Sequence, residues 1–311
     1  MDLSIIIVNW NTRDLLVNCL NSINKSITDI SYEVFVVDNA STDGSVAILG
    51  KDFPEVSIIE NSSNRGFAAA NNQAFRIMRG RYALLLNTDT VLTEKAVSEL
   101  YNFMESHPDS AMACGQLLNE DGSLQNSIAS LPGIQKLFFN MPLLEMLFPH
   151  RFPSKRYHHE IPVEIESGIG ACLIVRRSAM DKVGLLDERY FFFMEETDWA
   201  RRMRDAGWKI HFVPSARIYH LQGRSIGDGI LSRSTFYMSR YRYFRKWYPY
   251  PLYILSLLVI FGRLLTNWFF TLLGNMLSFF RSRSLRLRWR NYHLLVIWHF
   301  KNFREILKIP A

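Results

Sequence analysis

The sequence has 311 residues, of which 48% are hydrophobic, enough for one large domain with an appendage or for two domains. The net charge of +7 is unevenly spread, because residues 229–304 contain thirteen Lys or Arg and no Asp or Glu. Three cysteines lie in apolar segments, and none has CxxC spacing. We therefore expect neither a disulfide framework nor a zinc site. The first residues run into an apolar strand without a basic n-region, so we predict no signal peptide.

The first hundred residues alternate between predicted strands and helices. Continuous apolar runs predict strands at 3–8, 34–37, 56–59 and 82–86, and helical spacing predicts helices at 12–24, 66–78 and 93–105. This alternation predicts an α/β fold with a parallel sheet and helices on both faces. Ligands of such sheets bind beyond the carboxyl ends of the strands. Five polar or aromatic candidates follow strands there: Trp10, Asp38, Arg65, Asn87 and Asp89.

The pattern is looser after residue 110. We predict strands at 110–118 and 167–175, a helix at 196–206, and extended segments at 209–213 and 216–220. Residues 131–161 are rich in Pro, Phe, Leu and Met and suggest an insertion or flap, and the adjacent His158 and His159 are expected to be loop residues. We therefore predict a domain at 1–228, with halves at 1–109 and 110–228, and a helical tail at 229–311.

The segment YFFFMEETDW places Glu195, Glu196 and Asp198 directly after an aromatic run. Carboxylates so close together repel, and an apolar wall beside them opposes ionisation of at least one. Helix capping explains one or two of the acids. The arrangement suits a carboxylate at a pocket edge that accepts a proton.

Other candidates have two interpretations each. Asp38 can accept hydrogen bonds from a base or ribose, or it can form a turn. Asp89 can bind Mg²⁺ or Mn²⁺ between two phosphates, or it can also belong to a turn. Arg65 precedes helix-start amides and suits a diphosphate, although a surface arginine is the default. His220 is a second candidate metal ligand or a structural histidine.

Six segments occur in this order: SIIIVNWN, VFVVDNASTDGS, NRGFAAANNQAF, LLLNTDTVL, GACLIVRRSAMDKVGLLDERYFFFMEETDWARRMRDAGWKI and IYHLQGRS. Taken together, they resemble glycosyltransferase family 2, whose members are inverting enzymes with the GT-A fold. The matching segments occur in family order over about residues 3–225, and the closest subgroup is rhamnosyltransferase-like enzymes of bacterial cell-surface polysaccharide synthesis.

The resemblance implies a donor site at the strand ends. Val8 and Trp10 would line the nucleobase pocket, Asp38 would hold the base, and Arg65 would approach the base or diphosphate. Asp89 would be the metal-binding aspartate of the family's DxD motif, and His220 resembles a metal-ligating histidine of some relatives. The first DxD position is Asn87 here, so the site has one charge fewer.

The resemblance also implies the catalytic residues. Glu196 would be the general base, with Glu195 as the alternative, and Gly170, Asp198 and Trp199 would belong to or support the acceptor pocket. The implied activity is transfer of one sugar from a nucleotide-diphospho-sugar to a hydroxyl of a lipid-linked or glycan acceptor, with Mg²⁺ or Mn²⁺. The QxxRW motif of processive relatives is absent, which favours single-sugar addition.

Two other functions are compatible with parts of the pattern. A nucleotidyltransferase shares a related sheet, but its Gly-rich N-terminal signature is missing from IIIVNWNTRD. A non-catalytic nucleotide-sugar-binding scaffold is suggested by Asn87. Transfer activity separates the scaffold from an enzyme.

The tail has an apolar segment at 251–280, interrupted by Arg263 and flanked by arginines on both sides. Basic flanks stay on the cytoplasmic side of a membrane, so both ends of the segment are expected on that side. We therefore favour interfacial helices or a shallow hairpin over a spanning helix. A soluble helical subdomain or an oligomer interface is the alternative. The expected partner is an anionic membrane surface and not nucleic acid, at the cytoplasmic face of a bacterial inner membrane.

Overall fold

The computed structural model describes residues 1–27, 29–138, 146–148, 159–221 and 229–310. The chain forms two compact units, Met1–Leu131 with Phe148–Ile226, and Pro132–Leu147 with Gly227–Ala311. The segment Pro132–Leu147 groups with the C-terminal helices, whereas the sequence placed it in the first domain. His158 and most of the predicted flap lie outside the described residues.

The first unit is a mixed, mostly parallel sheet with helices. Its strands are β1 Leu3–Asn9, β2 Tyr32–Asp38, β3 Ser57–Glu60, β4 Tyr82–Asn87, β5 Thr90–Leu92, β6 Ser110–Leu118, β7 Ile128–Ala129, β8 Val163–Glu164, β9 Ser167–Gly168, β10 Cys172–Arg176 and β11 Lys209–His220. Its helices are α1 Arg13–Ser26, α2 Ser45–Asp52, α3 Phe67–Phe75, α4 Ala96–Ser106, α6 Arg177–Val183 and α7 Glu195–Asp205; α5 belongs to the second unit.

The main sheet has the order β3-β2-β1-β4-β10-β6-β11-β5, and β8 also pairs with β11. Within the run β3-β2-β1-β4, adjacent strands are parallel, as predicted. Strand β10 is inserted antiparallel between β4 and β6. The register pairs Asn9 with Asp38 and Val8 with Asn87. The carboxyl ends of β1, β2 and β4 therefore meet at one edge of the sheet.

Two predicted elements differ from the structure. The single strand at 167–175 is two strands, because β9 pairs with β7 in a separate small sheet while β10 joins the main sheet. The two extended pieces at 209–220 are one strand, β11, with a register shift between Val213 and Arg217. That irregularity contains Pro214, which has no N–H to donate to a regular ladder.

Burial follows the alternation of the strands. In β1, Ile5 and Ile7 belong to the core on one face of the sheet, and Ile6 belongs to the core on the other. Continuous apolar runs are expected for strands covered on both faces. All three cysteines are free and buried, as their apolar surroundings predicted.

The second unit contains α5 Ile134–Phe138 and three longer helices, α8 Ile230–Trp247, α9 Tyr250–Leu277 and α10 Arg283–Leu307. Helices α9 and α10 form an antiparallel hairpin. At one end the hydroxyl of Tyr253 donates to the carbonyl oxygen of Ile306 (2.6 Å), and near the turn Asn275 Nδ2 donates to that of Leu285 (3.0 Å). Of the helices in the described ranges, α9 is long and apolar enough to cross a membrane by length and composition.

Candidate active site

The end of β2 is tied to the end of β1 through Asp38. Asn9 Nδ2 donates to Asp38 Oδ1 (2.8 Å), and the backbone N–H of Ser41 donates to Oδ2 (2.8 Å). Asp38 is buried. Asp38 therefore orders the loop after β2. The remaining lone pairs of its carboxylate could accept hydrogen bonds from a base or ribose.

Trp10 lies at the protein surface directly after β1, with 45% of its area exposed. The next residue, Asn11, has a left-handed backbone (φ 53°), and its Oδ1 accepts the backbone N–H of Thr42 (2.7 Å). Val8 is half-buried and packs against the core. The loop thus presents a flat, apolar indole beside the strand ends, which suits stacking on a nucleobase.

The start of α3 is joined to the aromatic segment that precedes α7. The backbone N–H of Phe67 donates to the carbonyl oxygen of Phe191 (2.7 Å). Gly66 has φ +81°, and a β-carbon there would lie 2.5 Å from the same oxygen. Arg65, one residue earlier, is exposed. The candidate diphosphate-binding loop and the segment leading into Glu195 are therefore in backbone contact.

Asn72 makes a second link between these parts. Its Nδ2 donates to the carbonyl oxygen of Leu186 (2.8 Å) and to Glu188 Oε1 (3.0 Å), and its Oδ1 accepts the backbone N–H of Leu186. The side chain is buried in α3. We did not predict a role for Asn72, because the sequence gives no local signal that its partner lies 114 residues away.

The structure brings together the two predicted metal ligands. His220 Nε2 lies 3.5 Å from Asp89 Oδ1, and both side chains are almost completely buried. Gln125 Oε1 lies 2.7 Å from His220 Nδ1, and Gln125 Nε2 donates to the carbonyl oxygen of His220 (3.0 Å). An amide oxygen only accepts, so in this arrangement Nδ1 carries a proton, and Nε2, the nitrogen nearer to Asp89, is the one that could bind a metal. Gln125 was not among the predicted residues.

This pair fits a divalent cation. A carboxylate oxygen and an imidazole nitrogen are ligands that Mn²⁺ accepts, and their spacing lets one ion contact both. In the part of the chain that the structure describes, no group of three or more His, Cys, Asp or Glu side chains could hold a metal. The remaining ligands would therefore have to come from substrate phosphates and water, as is common for Mg²⁺ sites. Asn87 is partly exposed two residues from Asp89.

Glu195 and Glu196 begin α7 after two residues with unusual backbones. Phe193 and Met194 have φ of 68° and 71°, a left-handed conformation that is strained for large side chains. Glu195 is 4% exposed, and its Oε2 has no hydrogen-bond partner among the described residues. Glu196 is half-buried. Of the two, Glu196 has the side chain that a substrate can reach.

Burial raises the pKa of both carboxyl groups. For Glu195 burial comes first and the neighbouring charge of Glu196 adds to it, so its pKa lies well above the ordinary value. For Glu196 burial also raises the pKa, while hydrogen bonds to its own and the Thr197 backbone and to the Thr197 side chain oppose the rise. A carboxylate with a raised pKa is a stronger base once ionised.

Gly170 connects Glu196 with the turn after β4. A β-carbon on Gly170 would lie 3.6 Å from Glu196 Cγ, and the next residue, Ala171, accepts the backbone N–H of Asn87 (2.9 Å) through its carbonyl oxygen. The candidate base and the turn that carries Asp89 are therefore both neighbours of the two-residue segment 170–171. The absence of a side chain at Gly170 leaves space beside Glu196.

Asp198 and Trp199 are fully buried. Asp198 Oδ2 pairs with Arg202 Nε (3.0 Å), and Trp199 Nε1 donates to the carbonyl oxygen of Gly184 (2.8 Å). Neither side chain is exposed to contact an acceptor in this structure. These contacts give the two residues a supporting role, in which they hold α7 against the segment after α6.

Several known proteins share sequence similarity with this chain. The model of the family described as Glycosyl transferase family 2 matches residues 4–184. The chain is 29% identical over 216 residues to the N-acetylglucosaminyl-diphospho-decaprenol L-rhamnosyltransferase of Mycobacterium tuberculosis, covering 64% of this chain and 70% of that protein. It is 28% identical to the low-salt glycan biosynthesis hexosyltransferase Agl10 of Haloferax volcanii, covering 65% of this chain and 62% of that protein.

Solved structures show the same fold at low sequence identity. S. aureus TarS 1–349 in complex with UDP has a TM-score of 0.52 at 15% identity, covering 83% of this chain and 66% of that one. GalNAc-T7 with UDP, GalNAc and Mn²⁺ has a TM-score of 0.55 at 15% identity, covering 79% of this chain and 50% of that one. At this identity the likeness supports the GT-A fold. From the family match over more than half of its length, the chain belongs to glycosyltransferase family 2.

Proposed function

We propose that this glycosyltransferase inverts the anomeric centre of a nucleotide-diphospho-sugar and transfers one hexose to a hydroxyl of a lipid-linked or glycan acceptor. The observation that supports it most is the shared neighbourhood of Glu196, Gly170 and the Asn87–Asp89 turn. Glu196, a carboxylate with a raised pKa, neighbours Gly170, and the next residue is hydrogen-bonded to the turn that carries Asp89 of the pair suited to a cation. A proton acceptor and a diphosphate site are the two parts that a single displacement needs.

In the proposed reaction, Glu196 accepts the proton of the acceptor hydroxyl while that oxygen attacks the anomeric carbon. The bond to the diphosphate breaks on the opposite face, so the configuration is inverted. A divalent cation held by Asp89 and His220 would neutralise charge on the departing diphosphate. Trp10 and Val8 face the base, Arg65 contacts the base or diphosphate, and the exposed ring of Phe191 contributes to the acceptor side.

Glu195 has a different role in this proposal. It is buried beside Glu196, and its raised pKa keeps it neutral over a wider pH range than an exposed glutamate. When Glu195 is neutral, it places no negative charge beside Glu196 that would oppose the ionisation of Glu196. Glu196 is therefore the base and Glu195 a supporting residue.

The names of relatives guide the substrate proposal. The mycobacterial protein is named for rhamnosyl transfer to a diphospho-decaprenol-linked sugar, and the haloarchaeal protein for glycan biosynthesis. We therefore propose a lipid-linked acceptor in cell-surface polysaccharide assembly, with rhamnose as the first donor sugar to test. The C-terminal helices would hold the enzyme at an anionic surface, the cytoplasmic face of a bacterial inner membrane.

The test uses the full-length protein. Thermal shift with dTDP-rhamnose and with UDP- and GDP-sugars, each with and without Mn²⁺, should single out one donor by its stabilisation. Glu196→Gln should keep that stabilisation and lose transfer by about 10²–10⁴-fold. Glu55→Gln, an exposed glutamate away from the site, is the matched control. Full transfer by Glu196→Gln would refute the base assignment, and donor binding without any transfer would favour the scaffold.

A further inference from the structure

Helix α9 is apolar on two opposite faces. One face is buried and contributes Tyr253, Ser256, Leu257, Ile260, Leu264 and Asn275 to the second unit. On the opposite face, within about a third of the helix circumference, eight large apolar residues are exposed. This apolar stripe consists of Leu252, Leu255, Leu258, Phe269, Phe270, Leu273, Met276 and Leu277. Single exposed apolar residues are ordinary, but eight on one side of a helix, in groups at 252–258 and 269–277, indicate a surface that contacts something apolar.

The stripe continues into the turn of the hairpin. Phe279 is 81% exposed and Phe280 43% exposed, and both have left-handed backbones, with φ of 48° and 57°. Glycine or asparagine is the usual residue in such a turn, because a large side chain is strained there. Two exposed phenylalanines at this position are unfavourable for an isolated soluble hairpin. Their presence indicates that the turn itself is part of the contact surface.

Positive charge follows the turn immediately. Five arginines lie in the first ten residues after it: Arg281, Arg283, Arg286, Arg288 and Arg290. No acidic residue occurs between residues 229 and 304 to neutralise them. The chain that leaves the turn therefore carries a concentrated positive charge next to the exposed phenylalanines.

The pairing of α9 with α10 argues against a simple spanning helix. The two helices are joined at both ends of the hairpin, and in between the rings of Phe261 and Phe300 pack 5.6 Å apart. Helix α9 could therefore not enter the hydrocarbon core without α10. Arg263 near the middle of α9, and Arg286, Arg288 and Arg290 near the turn, oppose that insertion, because arginine is among the costliest residues to move into or across a membrane.

We propose that the apolar stripe and the hairpin turn bind the surface of a membrane that contains anionic lipids, with α9 lying in the plane of the interface. The stripe enters the boundary between headgroups and acyl chains, and the arginines contact lipid phosphates. A second copy of this chain is the weaker candidate, because the same face would bring the same arginines together. This inference rests on the membrane association in the proposed function and specifies its face and depth.

The test is co-sedimentation of the full-length protein with vesicles of phosphatidylcholine alone or with about 30% phosphatidylglycerol. The double variant Leu258→Glu with Phe270→Glu should bind the anionic vesicles at least tenfold more weakly. Ile77→Glu is the matched control, because Ile77 is an exposed apolar residue of the first unit. Both variants alter exposed positions, and a thermal melt checks that each is folded.

The depth is tested with a fluorophore on a cysteine placed at position 252 or at position 277, since the three native cysteines are buried. Dithionite added outside the vesicles should quench both labels if α9 lies in the interface. Quenching of only one label would show a span and overturn the proposal. Three other results would also overturn the proposal: unchanged vesicle binding by the double variant, equal binding to neutral and anionic vesicles, or a dimer of the parent protein in ultracentrifugation that is lost in the double variant.

These outcomes are separable from the proposed catalysis. Vesicle binding is measured without any sugar nucleotide, and Glu196→Gln should bind vesicles like the parent protein. Loss of transfer with intact vesicle binding concerns the active site, and the reverse result concerns the stripe.

Discussion

His220 Nε2 lies 3.5 Å from Asp89 Oδ1, although 131 residues separate the two in the chain (220 − 89 = 131). The contact arises because β11 pairs antiparallel with β5, with His220 opposite Thr90. Gln125 then fixes the imidazole from its other side. The orientation of the imidazole ring therefore depends on one amide side chain from a third segment.

The first prediction concerns this amide. Gln125→Leu removes the acceptor for Nδ1–H and should weaken Mn²⁺ binding, measured by electron paramagnetic resonance with UDP present, by about 10–100-fold. Gln125→Glu keeps an acceptor and should bind Mn²⁺ nearly as well as the parent protein. Gln135→Leu, at an exposed position in α5, is the control. Unchanged affinity of Gln125→Leu would contradict the orienting role.

The second prediction concerns the contact between the start of α3 and Phe191. Gly66→Ala should destabilise the protein, since φ 81° with ψ 172° is essentially restricted to glycine and costs another residue about 1–3 kcal/mol, and the new β-carbon would also meet the Phe191 carbonyl oxygen. Transfer activity of the folded fraction should fall too, because the displaced segment leads into Glu195. Chemical denaturation measures the first effect.

Gly50→Ala is the comparison for that experiment. Gly50 lies within α2, and nothing lies within 4 Å of a β-carbon built there. Alanine in a helix interior is better than glycine by about 0.5–1 kcal/mol, so this variant should be slightly more stable than the parent. If both glycine variants behave alike, the close approach at Gly66 is unimportant.

The third prediction separates support from substrate contact at Asp198. Asp198→Ala removes the carboxylate that neutralises Arg202, whose guanidinium keeps only its hydrogen bonds to the carbonyl oxygens at 183–185, and should lower the free energy of unfolding by about 3–5 kcal/mol. Asp205→Ala, which breaks the more exposed pair with Arg201 in the same helix, should cost less than about 1 kcal/mol. A stable Asp198→Ala protein with a changed Michaelis constant for the acceptor would instead place Asp198 in the acceptor pocket.

The fourth prediction is a pH dependence of stability. Because burial raises the pKa of Glu195 well above the ordinary 4.5, the folded protein keeps a proton that the unfolded chain has already lost. Stability from this group is complete below about pH 4.5 and falls as pH rises towards the folded-state pKa. Glu195→Gln cannot ionise, so its melting temperature relative to the parent should increase from pH 5 to pH 9.

Melting curves at several pH values provide the measurement for Glu195→Gln. The exposed Glu55→Gln variant should show the same difference from the parent at every pH. A constant difference for Glu195→Gln as well would mean that Glu195 ionises normally in the folded protein.

The local pattern of the sequence determined much of the fold. Apolar runs predicted β1, β2 and β4, and their parallel arrangement follows from the intervening helices. Asp38 and Asp89 could be placed at strand ends for the same reason, because a strand ends where its apolar run stops. The basic, acid-free tail was also visible in the sequence, since charge composition needs no three-dimensional information.

Only the tertiary structure decided which distant segments meet. The antiparallel insertion of β10 between β4 and β6 has no periodic signal, because an apolar strand pairs in either direction. The same holds for Gln125 beside His220 and for Gly170 beside Glu196, which are contacts between segments that carry no local mark of their partner. Such contacts are set by the packing of the whole sheet, and that packing arranges the predicted residues into a site.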